Sequence, residues 1–169
     1  MTEVGKATLA DGKRIAEIQI AGWKEGYRRI LPDDFLDGLN PESRVPVWER
    51  FIRDKKGVML VARSGSELTG FCHLISSRDE DGNGVAEIAA IYIDPDRWRS
   101  GCGKLLFAAA VASAVQQGFT AMTLWVLAEN SRGRGFYEAM GMRADGAGKT
   151  VERPGCTLHE VRYRMELSR

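Results

Sequence analysis

The spacing of apolar residues in the first part of the chain predicts a short strand followed by a helix. A short strand is predicted near Val4 to Leu9. Asp11 then stands where a helix N-cap is favoured, and Ile15 and Ile18 recur at helical spacing behind it. We therefore predict a helix over about residues 12–24.

Two further helices are predicted before the first long run of strands. The segments ILPDDFLDGL and NPESRVPVWERFIRDKK both carry a proline near the position of a first helical turn, where its missing N–H costs nothing. In the second segment we expect Val47, Phe51 and Ile52 to form the apolar stripe.

From Val58 onward the period changes to that of strands. VMLVAR, the turn SGSE and LTGFCHLISS predict a β-hairpin, and VAEIAAIYID predicts a third antiparallel strand. The chain then alternates between a helix over residues 104–117 ended by Gly118, the strand TAMTLWVL, and a helix over residues 131–140 ended by Gly141. Two strands in MRADGAGKTVERPGCTLHEVRYRMEL complete an α+β (mixed α/β) pattern, without internal repeats or a linker.

Composition narrows the classes of function. The chain has 169 residues, enough for one domain with its own core, and a formal net charge of +1. A balanced charge gives no support for a nucleic-acid or membrane partner, so we expect neither. Cys72, Cys102 and Cys156 are odd in number and widely spaced, which matches neither a disulfide framework nor a zinc site. With no secretion signal at the N-terminus, we expect a cytoplasmic protein that binds no metal.

The segment IYIDPDRWRSGCGKLLF joins a predicted strand to a predicted helix through two glycines. Free backbone N–H groups and the positive end of the helix dipole meet at such a junction, which favours anion binding. A P-loop is excluded because Trp98 stands where the motif needs its first glycine, and Leu105 follows the lysine. A GxGxxG dinucleotide motif is excluded because Leu106 takes the place of its third glycine.

Four segments together resemble the GCN5-related N-acetyltransferases. WRSGCG is similar to the family's coenzyme A loop, (Arg/Gln)xxGx(Gly/Ala), with Trp98 at the Arg/Gln position. EIAAIYIDP resembles the family's fourth strand, LWVLAENSRGRGFYEAMGM its fifth strand and following helix, and AGWKEGYRRILPDDFLDGL its N-terminal helices. The resemblance implies one N-acetyltransferase domain over residues 1–169. It also implies a mostly antiparallel sheet of about seven strands, with the fourth and fifth splayed apart and about four to five helices around it.

The resemblance implies direct transfer of the acetyl group of acetyl-CoA to a primary amine of a small molecule or peptide, in a homodimeric enzyme. A catalytically silent domain that binds acyl-CoA as a sensor or assembly module is the alternative. The acceptor stays open among polyamines, amino acids, antibiotics and protein N-termini. One set of acidic residues would suit a cationic amine if it bordered the pocket: Asp33, Asp34, Asp37, Glu80 and Asp81.

The same resemblance assigns the cofactor site, mostly through backbone groups. The loop and helix start would hold the pyrophosphate, and the fourth strand would hold the pantetheine arm. The predicted cofactor-binding residues are Ile91, Tyr92, Ile93, Arg99, Ser100, Gly101, Cys102, Gly103, Lys104 and Asn130.

Two side chains are predicted to be catalytic. Tyr137 matches the family tyrosine that protonates the leaving thiolate, with an ordinary packed helix aromatic as the lesser alternative. Glu87 matches a glutamate that takes the amine proton through water, with a polar residue on the solvent face of a half-exposed strand as the lesser alternative. Covalent catalysis by Cys102 is not expected, because the family transfers the acetyl group directly.

Three aromatic residues of the N-terminal helices are candidates for lining the acceptor pocket, although aromatics spaced four apart on a helix are more often core: Trp23, Tyr27 and Phe35.

Overall fold

The computed structural model of the chain describes residues 1–168, which form one seven-stranded sheet and five α-helices. The strands are β1 (Thr2–Lys6), β2 (Val58–Ser64), β3 (Glu67–Ser76), β4 (Val85–Ile93), β5 (Ala121–Leu127), β6 (Arg143–Arg153) and β7 (Cys156–Glu166). The helices are α1 (Gly12–Gly26), α2 (Asp33–Asp37), α3 (Pro41–Arg53), α4 (Cys102–Gln116) and α5 (Ser131–Ala139). Within residues 1–168, no helix is long and apolar enough to cross a membrane.

The sheet has the order β1-β2-β3-β4-β5-β7-β6, and every neighbouring pair is antiparallel except β4 and β5. Helices α4 and α5 contribute Leu106, Phe107 and Phe136 to the core on one face. On the other face, α1 and α3 pack Ile15 and Trp48 against β2 and β3. The predicted fold class and the splayed pair of strands are confirmed.

The start of the chain differs from the prediction. The first strand ends at Lys6, and a 3₁₀ turn over Leu9–Asp11 leads into α1. The carboxylate of Asp11 makes no side-chain cap to α1. It accepts hydrogen bonds from the amide of Thr8 at 2.9 Å and the guanidinium of Arg63 at 2.5 Å. The ion pair between Asp11 and Arg63 therefore takes the place of the predicted cap at the start of α1.

The apolar stripe of α3 is also shifted from the prediction. Trp48 is buried and makes edge contacts with Phe51 and Phe71, and Val45 and Ile52 pack beside it, whereas Val47 lies outside this cluster. The indole N–H of Trp48 has a buried acceptor in the side chain of α1 residue Gln19, at 2.8 Å. That hydrogen bond is what allows the largest aromatic to point inward.

Strand β4 contains a β-bulge at Ala89. Ile88 and Ala90 pair with consecutive residues of β3, so Ala89 has no partner of its own. An extra residue bends a strand and reverses the side toward which the following backbone groups point. This irregularity sets the geometry of the candidate active site.

Candidate active site

Strands β4 and β5 separate almost as soon as they meet. They pair in parallel only over Val85–Glu87 and Ala121–Thr123, and β4 then turns away. A cleft opens beyond Glu87, bordered by the second half of β4 and by α5. The open edge of β4 thereby exposes backbone groups that a regular sheet would have paired.

The bulge directs two particular backbone units into this cleft. The amide of Asp94 donates to the carbonyl of Thr69 in β3 at 2.9 Å, so the backbone groups of Asp94 face β3. Alternation along the strand then places the N–H and C=O of Tyr92 on the β3 side and those of Ile91 and Ile93 on the cleft side. The side chains of both isoleucines are half-buried against the core under α4, and their backbones face the cleft.

A cavity of about 810 Å³ occupies the cleft on the α4 side. Its walls come from the end of α1, the second half of β4, the loop before α4 and the start of α5. The lining residues are Gly22, Glu25, Gly26, Tyr27, Ile91, Tyr92, Ile93, Arg97, Trp98, Arg99, Gly101, Gly103, Lys104, Asn130, Arg132, Gly133, Phe136 and Tyr137.

The N-terminus of α4 presents free amides to this cavity. Gly101 has a φ of +88°, which glycine adopts without strain, and the first amide to bond back to it is that of Leu105, at 3.2 Å. Within residues 1–168 no acceptor contacts the N–H groups of Gly101, Gly103 and Lys104. Such a group of free donors at a helix start is suited to phosphate.

Two residues of the predicted cofactor loop lie outside the cavity wall. The amide of Ser100 donates to the carbonyl of Arg97 at 3.3 Å, and the amide of Cys102 donates to the hydroxyl of Ser100 at 3.4 Å. The Cys102 thiol is buried against the hydroxyl of Thr69, and burial raises its pKa, which disfavours the thiolate a nucleophile requires. The amides of Ser100 and Cys102 are therefore already hydrogen-bonded, whereas within residues 1–168 those of Gly101, Gly103 and Lys104 stay free to bind a ligand.

Trp98 has a specific structural role at the mouth of the cavity. Its indole N–H donates to the carbonyl of Ile93 at 3.0 Å, and the guanidinium of Arg132 lies 4.0 Å from the centre of the ring. Trp98 thus links the end of β4 to the start of α5 and holds a cation beside the free amides of α4. Arg132 was missed from the sequence because its contact with Trp98 joins segments 34 positions apart.

Replacing Trp98 tests this link. We expect Trp98→Phe to weaken acetyl-CoA binding about fivefold, since it removes one hydrogen bond worth about 1 kcal/mol and keeps a ring under Arg132. Trp98→Gln, which also removes the ring, is expected to weaken binding by about tenfold or more. Isothermal titration with acetyl-CoA measures both, with Arg53→Gln as a control at an exposed arginine outside the cavities. Unchanged affinity in both variants would show that the backbone alone holds the cofactor.

A second cavity, of about 430 Å³, lies on the other side of β4 and extends under the β6–β7 hairpin. Five residues line both cavities and mark the place where they meet: Tyr27, Ile91, Tyr92, Asn130 and Tyr137. Two molecules entering from opposite sides would therefore meet beside the bulge of β4.

Tyr137 stands at this meeting point. Its phenol oxygen makes no hydrogen bond with any other residue of the described range 1–168, although its ring packs against Phe136 and Tyr163. Burial raises the pKa of Tyr137, so the phenol stays protonated well into alkaline solution. The group can serve as a proton donor and is not committed to a structural hydrogen bond.

Glu87 lines the smaller cavity and is buried, so it is not a residue of an exposed strand face. Its two carboxylate oxygens accept three hydrogen bonds from Arg78: from the backbone amide at 3.0 Å, from Nε at 3.3 Å and from Nη2 at 2.7 Å. The Arg78 side chain remains largely exposed. The carboxylate is thus held in a fixed orientation beside the cavity.

Asn130 lies between the two cavities and also caps α5. Its Oδ1 accepts from the amide of Gly133 at 3.0 Å, which satisfies one free donor of the helix start. Its position on both cavity walls leaves the side chain beside the predicted cofactor site as well.

Of the three predicted acceptor-pocket aromatics, the structure brings two to the cavity. Trp23 and Tyr27 line the smaller cavity, and the indole N–H of Trp23 donates to the hydroxyl of Tyr92 at 2.7 Å. Phe35 lines neither cavity, because it packs beside Leu31 and Leu36 in a small apolar cluster. Phe35 is half-buried against this cluster, and helical spacing in the sequence could not distinguish such a residue from a pocket wall.

The chain belongs to the Acetyltransferase (GNAT) family, whose model matches residues 21–142. Uncharacterized N-acetyltransferase YuaI of Bacillus subtilis is 32% identical over 130 residues, covering 77% of this chain and 74% of that protein. Spermidine N(1)-acetyltransferase of Thermoplasma acidophilum is 24% identical over 148 residues, covering 85% of this chain and 89% of that protein.

The fold of the chain also matches that of solved structures. YncA of Salmonella typhimurium, solved with acetyl-CoA, superposes with a TM-score of 0.76 at 19% identity, covering 100% of this chain and 95% of that one. Membership of the family confirms the predicted enzyme class, an N-acetyltransferase, and acetyl-CoA as its cosubstrate.

Proposed function

We propose that the protein transfers the acetyl group of acetyl-CoA directly to a primary amine of a small molecule, with the reaction taking place where the two cavities meet. One observation carries the proposal: the unbonded phenol of Tyr137 lies on the wall common to both cavities, beside backbone groups that the bulge turns into the cleft. On the basis of the family resemblance, we also propose that the enzyme is a homodimer and acts in the cytoplasm.

The larger cavity would take acetyl-CoA. The free amides of Gly101, Gly103 and Lys104 would bind the pyrophosphate, with Arg132 as a nearby cation. The backbones of Ile91 and Ile93 would bind the pantetheine arm as an added strand does. One of their N–H groups would polarise the thioester oxygen, which gains negative charge as the amine attacks.

The smaller cavity would take the acceptor. The amine nitrogen attacks the thioester carbon, the C–S bond breaks and an amide forms. Glu87 accepts the amine proton through water, and Tyr137 donates its proton to the departing sulfur and regains one from solvent. Because a coenzyme A thiol has a pKa near that of cysteine, about 8.5, its thiolate already leaves readily and Tyr137 adds a moderate gain.

Release of free thiol from acetyl-CoA in the presence of an amine library tests the proposed reaction. We expect thiol release that depends on the amine and rises with pH as the neutral amine becomes more abundant. The no-amine reaction is the control for hydrolysis. If acetyl-CoA binds but no amine increases thiol release, the chain is a silent acyl-CoA-binding domain and the proposed reaction is wrong.

A further inference from the structure

Among the charged side chains around the smaller cavity, some have an oppositely charged partner in the described residues and one does not. Five charged residues line it: Arg78, Glu87, Lys149, Arg153 and Glu160. The two carboxylates each have a basic partner in the same wall, with Arg78 at 2.7 Å from Glu87 and Lys149 at 3.6 Å from Glu160. The wall therefore contains no uncompensated carboxylate.

Arg153 is the cation without a counter-charge. No carboxylate lies within 4.0 Å of its guanidinium in the described residues 1–168, where its side chain donates only to the backbone carbonyl of Glu152 at 3.1 Å. Arg153 is also exposed at the end of β6, so its guanidinium can turn toward a molecule in the cavity. A single free guanidinium is suited to a single carboxylate, which it can bind through two parallel hydrogen bonds.

The acidic residues that would favour a polyamine lie elsewhere. Asp33 and Asp37 are paired with Arg28, and Asp81 is paired with Arg162. None of the five acids considered from the sequence lines either cavity. A polycationic acceptor would therefore meet a wall whose negative charges are already neutralised and whose one free charge repels it.

The strand pairing places Arg153 away from the point where the cavities meet. Lys149 pairs with Glu160, and Arg153 pairs with Cys156 four positions further toward the hairpin, about 13 Å along the strand. Val151 and Leu158 pair between them and line the cavity with apolar surface. An acceptor lying along this wall would have its amine near Tyr137, apolar atoms in the middle and its anionic end at the hairpin.

We propose that the acceptor is an amine that also carries a carboxylate, and that Arg153 binds this carboxylate and selects against polyamines. This inference rests on the proposed acetyl transfer and specifies its substrate class. An apolar stretch between the amine and the carboxylate matches the middle of the cavity wall, so chain length between the two groups is part of the selection.

Matched pairs of acceptors test the proposal. The panel comprises 4-aminobutyrate, 6-aminohexanoate and 8-aminooctanoate, each beside its carboxamide, together with spermidine and putrescine. L-leucine and L-phenylalanine are included as acids whose amine and carboxylate are too close together to match the wall. We expect the best carboxylate-bearing acceptor to exceed its own amide about tenfold or more in kcat/KM, a difference typical of a bidentate carboxylate contact. Arg153→Gln is expected to raise KM for that acid about tenfold and to leave the amide within about twofold, since only the acid loses its partner.

The amide of each pair serves as an internal control for folding and for the chemical step, and Arg53→Gln controls for the loss of one exposed positive charge. A wild-type preference for spermidine or for the carboxamides overturns the proposal. So does an equal loss on acid and amide in Arg153→Gln. If no amine of any class increases thiol release, the proposed acetyl transfer itself is wrong, which is a different outcome from acetylation with the opposite preference.

Discussion

We expect Tyr137→Phe to lower kcat by about 10- to 100-fold and to change the KM for acetyl-CoA by less than about twofold. The loss lies at the lower end for a general acid because a thiolate leaves more readily than an alkoxide or amine. The phenol makes no hydrogen bond within residues 1–168, so its removal leaves no orphaned partner and a small effect on stability.

Tyr163→Phe is the matched control, because it deletes the same hydroxyl from a buried tyrosine outside both cavities. The Tyr163 hydroxyl donates to Glu138 at 2.8 Å and accepts from Arg134 at 3.0 Å, so this variant is expected to lose stability and keep kcat. The pH profile adds a second measurement. Since burial raises the pKa of Tyr137, the wild-type rate is expected to show no fall from tyrosine ionisation up to about pH 10. An unchanged kcat in Tyr137→Phe would remove this residue from the mechanism.

We expect Glu87→Gln to lower kcat/KM by about 100-fold at neutral pH, because the neutral amide cannot take a proton from the acceptor amine. The loss is expected to shrink as pH rises, since a larger fraction of the acceptor is then already neutral and needs no base. A pH–rate profile of kcat/KM for the wild type and the variant measures this convergence.

Stability must be followed in the same variant. The Gln side chain keeps one oxygen that accepts from Arg78 but loses the carboxylate charge and the second acceptor oxygen, at a cost of about 1–2 kcal/mol. For a chain of this size that lowers Tm by several degrees, about 2–4 °C per kcal/mol, which leaves the variant folded at assay temperature. A rate loss of equal size at every pH, or no loss at all, would argue that Glu87 is only a partner for Arg78.

The sheet, the helices and the glycine loop could be predicted from the sequence because each depends on local signals. The hairpin turn at Gly65 and the helix ends at Gly118 and Gly141 all use glycines with positive φ, which local sequence identifies. The same holds for the start of α4 at Gly101. The limits of these elements differ from the prediction by only a few residues.

The charged wall and the supports of the cleft could not be predicted, because they depend on pairings between distant segments. Arg153 reaches the smaller cavity through the register of β6 on β7, and Arg132 reaches Trp98 across the cleft. The bulge at Ala89 has no distinctive residue to indicate it, since Ala90 beside it is identical. Trp48 was not predicted as part of the apolar stripe of α3, because the neighbouring Val47 fits the helical spacing almost as well.

The two cavities share five residues, but the rest of their walls come from different parts of the chain. The loop before α4 lines only the larger cavity, and the β6–β7 hairpin lines only the smaller one. If the smaller cavity takes the amine as proposed, substitutions in the hairpin are expected to alter which amine is accepted without disturbing the cosubstrate. In evolutionary terms, acceptor preference can diverge among descendants of such a protein through changes in one surface hairpin, while the machinery for acetyl-CoA is inherited intact.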